Sequence, residues 1–155
     1  IFMTDFNLSL KTRVHELCIQ VVKDKIKLID NLYLSNQNAL DSSTKSSAGD
    51  KHETSRAMIH LDQEKLSSQL LELNKSLRIL SQINIVEHSS VNMGSLFITD
   101  HSIFYISIGL GKVSLNDIDV FVMSPLSPLS QKLIGLKQHD SVEFNGIIHN
   151  ILFIC

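Results

Sequence analysis

The apolar residues of this chain change period once, near residue 83, and that change divides what it can fold into. Upstream, Ile19, Val22, Ile26, Ile29, Tyr33 and Leu40 recur at spacings of three and four, interrupted by Asn36. Ile59, Leu66, Leu70, Leu73, Leu77 and Leu80 repeat the pattern, interrupted by Gln63. Spacings that average about 3.5 lay one apolar seam along a helix and suit coiled-coil packing. They predict helices over about 7–40 and 50–82, each about 50 Å long. Two such helices on a short link can bury each other's seams only by running antiparallel. The link, Asp41 to Gly49, is rich in Ser and Thr, ends in a Gly and has no apolar anchor. It therefore reads as a hairpin tip that projects into solvent.

Downstream, short β-branched and aromatic runs take over: Gly94–Thr99, Ile103–Ile108 and Val120–Met123. Asp100-His101 and Leu115-Asn116-Asp117 read as turns between them. Ser127 to Leu136 suits one short helix, with Ser127 as N-cap, Pro128 at the first position and Gly135 at the end. Val142–Phe144 and Ile147–Ile154 read as a terminal hairpin through Asn145-Gly146, a strong two-residue turn signal. The fold class is thus α+β. An antiparallel coiled-coil hairpin occupies residues 1–82, and a small β-rich domain with one short helix occupies 83–155.

Composition narrows the function classes. At 43% hydrophobic and 19% charged, the chain is globular rather than disordered. Residues 1–82 carry 11 Lys+Arg and 10 Asp+Glu, and residues 83–155 carry 3 and 6. The hairpin is balanced and the β-domain mildly acidic, so steering towards a polyanion is weak. No apolar run approaches the roughly 18 residues of a membrane span, and no membrane partner is expected. The first residues lack the layout of a signal peptide, and Met3 reads as the native start. Cys18 and Cys155 form neither a metal-spaced nor a redox pair. Cys18 beside the seam reads as a small buried apolar group, Cys155 as exposed, and the compartment as reducing and cytoplasmic.

Two stretches carry a family resemblance. Gly49-Asp50-Lys51-His52-Glu53 is similar to the hairpin tip of the bacterial transcription elongation factors GreA and GreB, where Gly-Asp is followed by two residues and Glu. Ser124-Pro125, the short helix, Ile134-Gly135-Leu136-Lys137 and His139-Asp140 resemble that family's C-terminal signature. The chain departs from the family at Thr54-Ser55-Arg56-Ala57, where Asn-Ala-Glu-Tyr is usual, and at His139, where the family has Gly. It resembles a divergent Gre-like branch, such as that of Bacteroidetes. The resemblance implies a β-domain like the FK506-binding proteins and a partner, bacterial RNA polymerase, whose secondary channel the hairpin enters. It implies an accessory factor that stimulates the polymerase's own RNA cleavage in backtracked complexes, and not an enzyme by itself. RNA and DNA would be met only through the polymerase. The alternative function is a regulator that occupies the channel without stimulating cleavage. A prolyl isomerase is a third possibility, disfavoured by the absence of Trp.

By the same resemblance, Asp50 and Glu53 are the catalytic carboxylates, acting in trans. They would share a Mg²⁺ only within the polymerase complex, with no cofactor in the isolated chain. Mg²⁺ prefers oxygen ligands and keeps several waters, so one or two carboxylates suffice if a partner supplies the rest. Sequence physics offers a second reading: Asp50 as N-cap with Glu53 three residues on is a capping box. His52 and His60 read as surface polar residues, and Lys51 and Arg56 as a solvated helix face. Ser124 to Leu129 is open between a polymerase-facing surface and a buried turn.

Overall fold

A computed structural model describes residues 5–44 and 49–155, with the backbone alone described for 43, 44 and 49–52. The chain is α+β. Two long helices, α1 (Leu8–Thr44) and α2 (Gly49–Ser81), precede β1 (Leu96–Thr99), β2 (Ile103–Ile106), β3 (Gly111–Leu115), β4 (Ile118–Met123), α3 (Pro128–Leu133), β5 (Ser141–Phe144) and β6 (Ile147–Ile154). Helix α1 runs four residues past the expected end at 40, so Asp41–Thr44 are helical rather than link. No Gly or Pro stands there to break the ladder. Of the expected link, Lys45–Ala48 lie outside the described residues, as does Met3. No helix among the described residues is long and apolar enough to cross a membrane.

The period change at 83 falls just past the end of α2, but packing divides the chain elsewhere. One compact unit joins Ile1–Gln20 to Arg78–Cys155, and the other is Val21–Leu77.

In the second unit, α1 and α2 lie side by side and antiparallel. One groove is walled by 25–32 on α1 and 68–73 on α2, the next by 32–36 and 62–69. The two seams meet, yet among the described residues of α1 only Val22 and Leu40 are buried there. Ile26 and Ile29 are half-buried, as are Leu66, Leu70 and Leu73, because each helix has a single neighbour. Gln63, which interrupts the seam of α2, is buried and donates through Nε2 to Gln37 Oε1 at 3.2 Å. A polar group inside a seam is tolerated when it finds such a partner.

The first unit is built on a six-stranded mixed sheet in the order β3-β4-β2-β1-β6-β5. All its pairings are antiparallel except β2 with β4, in register Ile103↔Val120 to Ile106↔Met123. Two hairpins close through two-residue turns with both residues at positive φ: Asn116 (48°) with Asp117 (63°), and Asn145 (51°) with Gly146 (78°). This turn type matches the right-handed twist of the flanking strands. One sheet face carries Phe97, Phe104, Ile106, Ile151 and Ile154, which pack with Val91 and Leu133. Helix α3 has the expected Ser127 cap, whose Oγ accepts from Ser130 N–H, and ends before Gly135 at φ +91°. The other face meets the start of α1. Phe6 packs edge-on against Phe153, and His15 Nδ1 bonds Tyr105 Oη at 2.7 Å. Leu10, Val14 and Cys18, spaced by four, are buried on the same stretch of helix. Gly94 opens the sheet at φ +83°, where a Cβ would stand 2.8 Å from Ile83 Cγ2.

Candidate functional site

The backbone puts Gly49 at the start of α2, so Asp50 and Glu53 both lie in its first turns. Asp50 is therefore inside the helix and not at the capping position before it. The Asp50 side chain, with those of Lys51 and His52, lies outside the described residues. Glu53 is exposed, as are Thr54, Ser55 and Arg56. A carboxylate near a helix N-terminus is favoured by the positive end of the helix dipole. Two large apolar side chains are exposed beside these residues. Met58 and Leu61 are each 64% exposed. His60, between them in sequence, lines a shallow groove with Tyr33, Gln63 and Glu64.

The second stretch singled out by sequence, Ser124–Leu129, divides between exposure and packing. Leu126 is 79% exposed at the apex of a tight turn, in which Ser127 N–H donates to Ser124 carbonyl at 3.0 Å. Leu129 packs on the core cluster. Farther along, His139 adopts φ +74°. Its N–H donates to Ile151 carbonyl, and Ile151 N–H donates to Asp140 carbonyl. Asp140 also accepts the Lys137 N–H at 2.7 Å through Oδ2. The chain thus makes a tight left-handed turn at His139, which a residue with a side chain adopts at some cost.

Sequence reasoning missed two polar clusters in the sheet unit. Lys11 is wholly buried, and its Nζ donates to the carbonyls of Val86 and Cys155, the latter at 3.0 Å. Burial pushes its pKa down, opposed by the Cys155 and Glu87 charges. Cys155 is buried, contrary to the expected exposure, because its backbone pairs with Leu96 in both directions. Burial raises its thiol pKa. Cys18 is buried as expected, and burial pushes its thiol up to about 12, an inert group.

The other cluster lies at the β1–β2 turn. Asn150 donates to both Asp100 oxygens, at 3.0 Å through N–H and 2.6 Å through Nδ2, which holds the Asp100 carboxyl below its usual range. His101 Nε2 donates to Ile148 carbonyl at 2.9 Å. His149 is buried between the rings of His101 and Phe104, and its Nδ1 has no partner. Its pKa is lowered by burial first and by His101 second, against Asp100. The only sequence signal for these groups was their types, since neither period nor motif marks them.

Among the described residues, no three His, Cys, Asp or Glu side chains converge as metal ligands. The two tip carboxylates could supply only part of a Mg²⁺ shell, and a partner's oxygens and water would have to complete it.

No protein-family model, curated protein or solved structure matches this chain.

Proposed function

We propose that the chain is a Gre-like transcription elongation factor. It binds bacterial RNA polymerase in the cytoplasm and inserts the link between α1 and α2 into the secondary channel. There Asp50 and Glu53 complete the shell of a Mg²⁺ that the polymerase holds, and backtracked RNA is cleaved. Asp50 acts as the metal ligand and Glu53 orients the water or fills the remaining position. The polymerase owns the active site, so the factor is accessory. The sheet with α3 is read as FK506-binding-protein-like and serves to dock on the polymerase.

The observation that carries this reading is the place of Asp50 and Glu53. They stand three residues apart in the first turns of α2, beside the link between two helices of 37 and 33 residues. The left-handed turn at His139 adds support, since it answers the glycine of the resembled signature. The departure at Thr54–Ala57, together with the exposed Met58 and Leu61, favours the second reading, a channel-occupying regulator without cleavage.

Purified protein, Mg²⁺ and stalled, backtracked polymerase from the same organism decide between them. Faster shortening of the RNA 3′ end, lost in the Asp50→Ala/Glu53→Ala double variant with binding retained, is the expected result. Binding without cleavage would establish the regulator. Cleavage that persists in the double variant would sink the role of the two carboxylates, and no binding would remove the polymerase reading.

A further inference from the structure

The Val21–Leu77 unit leaves an apolar groove open on one side. Lys25, Leu28, Ile29 and Leu32 wall it from α1, and Glu72 and Leu73 from α2, around about 580 Å³. Leu28 is 60% exposed and Leu32 is 47% exposed. An apolar trough open to solvent can receive the side chains of a neighbour. The sequence of α1 repeats the message. Val21, Lys25, Leu28, Leu32, Ser35 and Ala39 are spaced alternately by four and three. They form a second stripe beside the seam that faces α2. A helix with two adjacent stripes of heptad spacing is built to contact more than one neighbour.

The charges identify that neighbour. Lys25 and Glu72 sit on opposite walls of the groove. The Gln37–Gln63 hydrogen bond sets the level of the two helices. On that register Lys25 and Glu72 stand about three residues apart along the axis, roughly 5 Å. Among the described residues, neither forms an ion pair within the chain. A two-fold axis along the groove places α1 of each copy over α2 of the other. It sets each Lys25 against the partner's Glu72 and lowers Leu28 and Leu32 of each copy into the other's groove. The surface is thus complementary to itself, as a two-fold interface requires. The stripe is about 28 Å long, and two helices are about 20 Å wide. Its flat footprint of roughly 600 Å² approaches the roughly 800 Å² per partner of a stable interface.

We propose that the groove is the interface of a homodimer, a four-helix arrangement of two hairpins with Lys25 paired to the partner's Glu72. This inference does not depend on the polymerase reading, under which the hairpin that enters the channel is that of the dissociated monomer.

Sedimentation velocity on the full chain, from low micromolar to near-millimolar concentration, tests it. Concentration-dependent dimers are expected. Lys25→Glu alone and Glu72→Lys alone each place like charges opposite one another twice and should weaken association by about tenfold or more. An equimolar mixture of the two single variants should recover it, because both contacts then become attractive. An ion pair within one chain could not be restored by mixing. Leu28→Gln/Leu32→Gln should abolish dimers while far-ultraviolet circular dichroism stays helical. A monomer at all concentrations, or a dimer that ignores the leucine change or is not recovered by mixing, would overturn the proposal.

Discussion

Tyr105→Phe isolates one buried hydrogen bond between a helix and the sheet. Tyr105 is fully buried on β2, and its Oη lies 2.7 Å from Nδ1 of His15, itself 8% exposed. Burial pushes the phenol pKa up and the imidazole pKa down, so both groups are neutral near pH 7.5 and share one proton along the bond. Phe keeps the ring and its packing but leaves a ring nitrogen in a closed space without a partner. An unsatisfied buried group costs about 1–3 kcal/mol. In a chain of this size that corresponds to a fall in Tm of roughly 3–10 °C. Replacing His15 by Leu at the same time removes both polar groups. The double variant should then lose less than the sum of the single losses, with a coupling of about 1 kcal/mol. Urea unfolding followed by circular dichroism at pH 7.5 gives all four corners of the cycle. A Tyr105→Phe protein within about 0.3 kcal/mol of the parent, or strict additivity, would refute the bond as a determinant of this packing.

Two further outcomes are expected. The pKa values of His15, His88 and His149 are all lowered, chiefly by burial. The unfolded chain therefore binds protons first as the pH falls below about 6.5. The stability these residues contribute is complete above that value and is lost as the pH drops through their lower folded values, at up to about 1.4 kcal/mol per pH unit for each. Thermal melts between pH 7.5 and 5 should show the decline, and His149→Phe should flatten it. His139→Gly should raise stability by up to about 1 kcal/mol, since glycine takes the left-handed φ of +74° without strain; equilibrium unfolding in urea would register it, and a loss of stability would show that the His side chain is needed there.

The helices, most strands and both hairpin turns were legible because each is declared locally. The spacing of Val22 to Leu40, the Asn145-Gly146 pair and the Ser127-Pro128 start need nothing beyond their neighbours. Strand β3 escaped notice because it is an edge strand whose Gly111, Lys112 and Ser114 are polar or small, with Val113 alone buried. The parallel pairing of β2 with β4 also escaped, because it joins residues about 17 positions apart that carry no mark of each other. At the candidate site, Asp50 and Glu53 were legible as a spacing. The helix start one residue before Asp50 was not, because cap preference ranks Asp above Gly and so places the cap at Asp50, whereas the helix already begins at Gly49.

By itself the sequence determined the division into helical and strand-forming stretches, the hairpin's seams and the turn chemistry of the sheet. These follow from periodicity and backbone preference, which act over a few residues. Tertiary structure alone decided which residues those stretches bury together. Lys11 and His15 begin a helix that reads as a coiled coil with its apolar seam farther on, yet they are buried within the sheet unit. Cys155 is buried by its pairing with Leu96, 59 residues earlier. The lone Nδ1 of His149 likewise arises where the β1–β2 turn folds against β6. Burial depends on what arrives from elsewhere in the chain, and no local pattern encodes that.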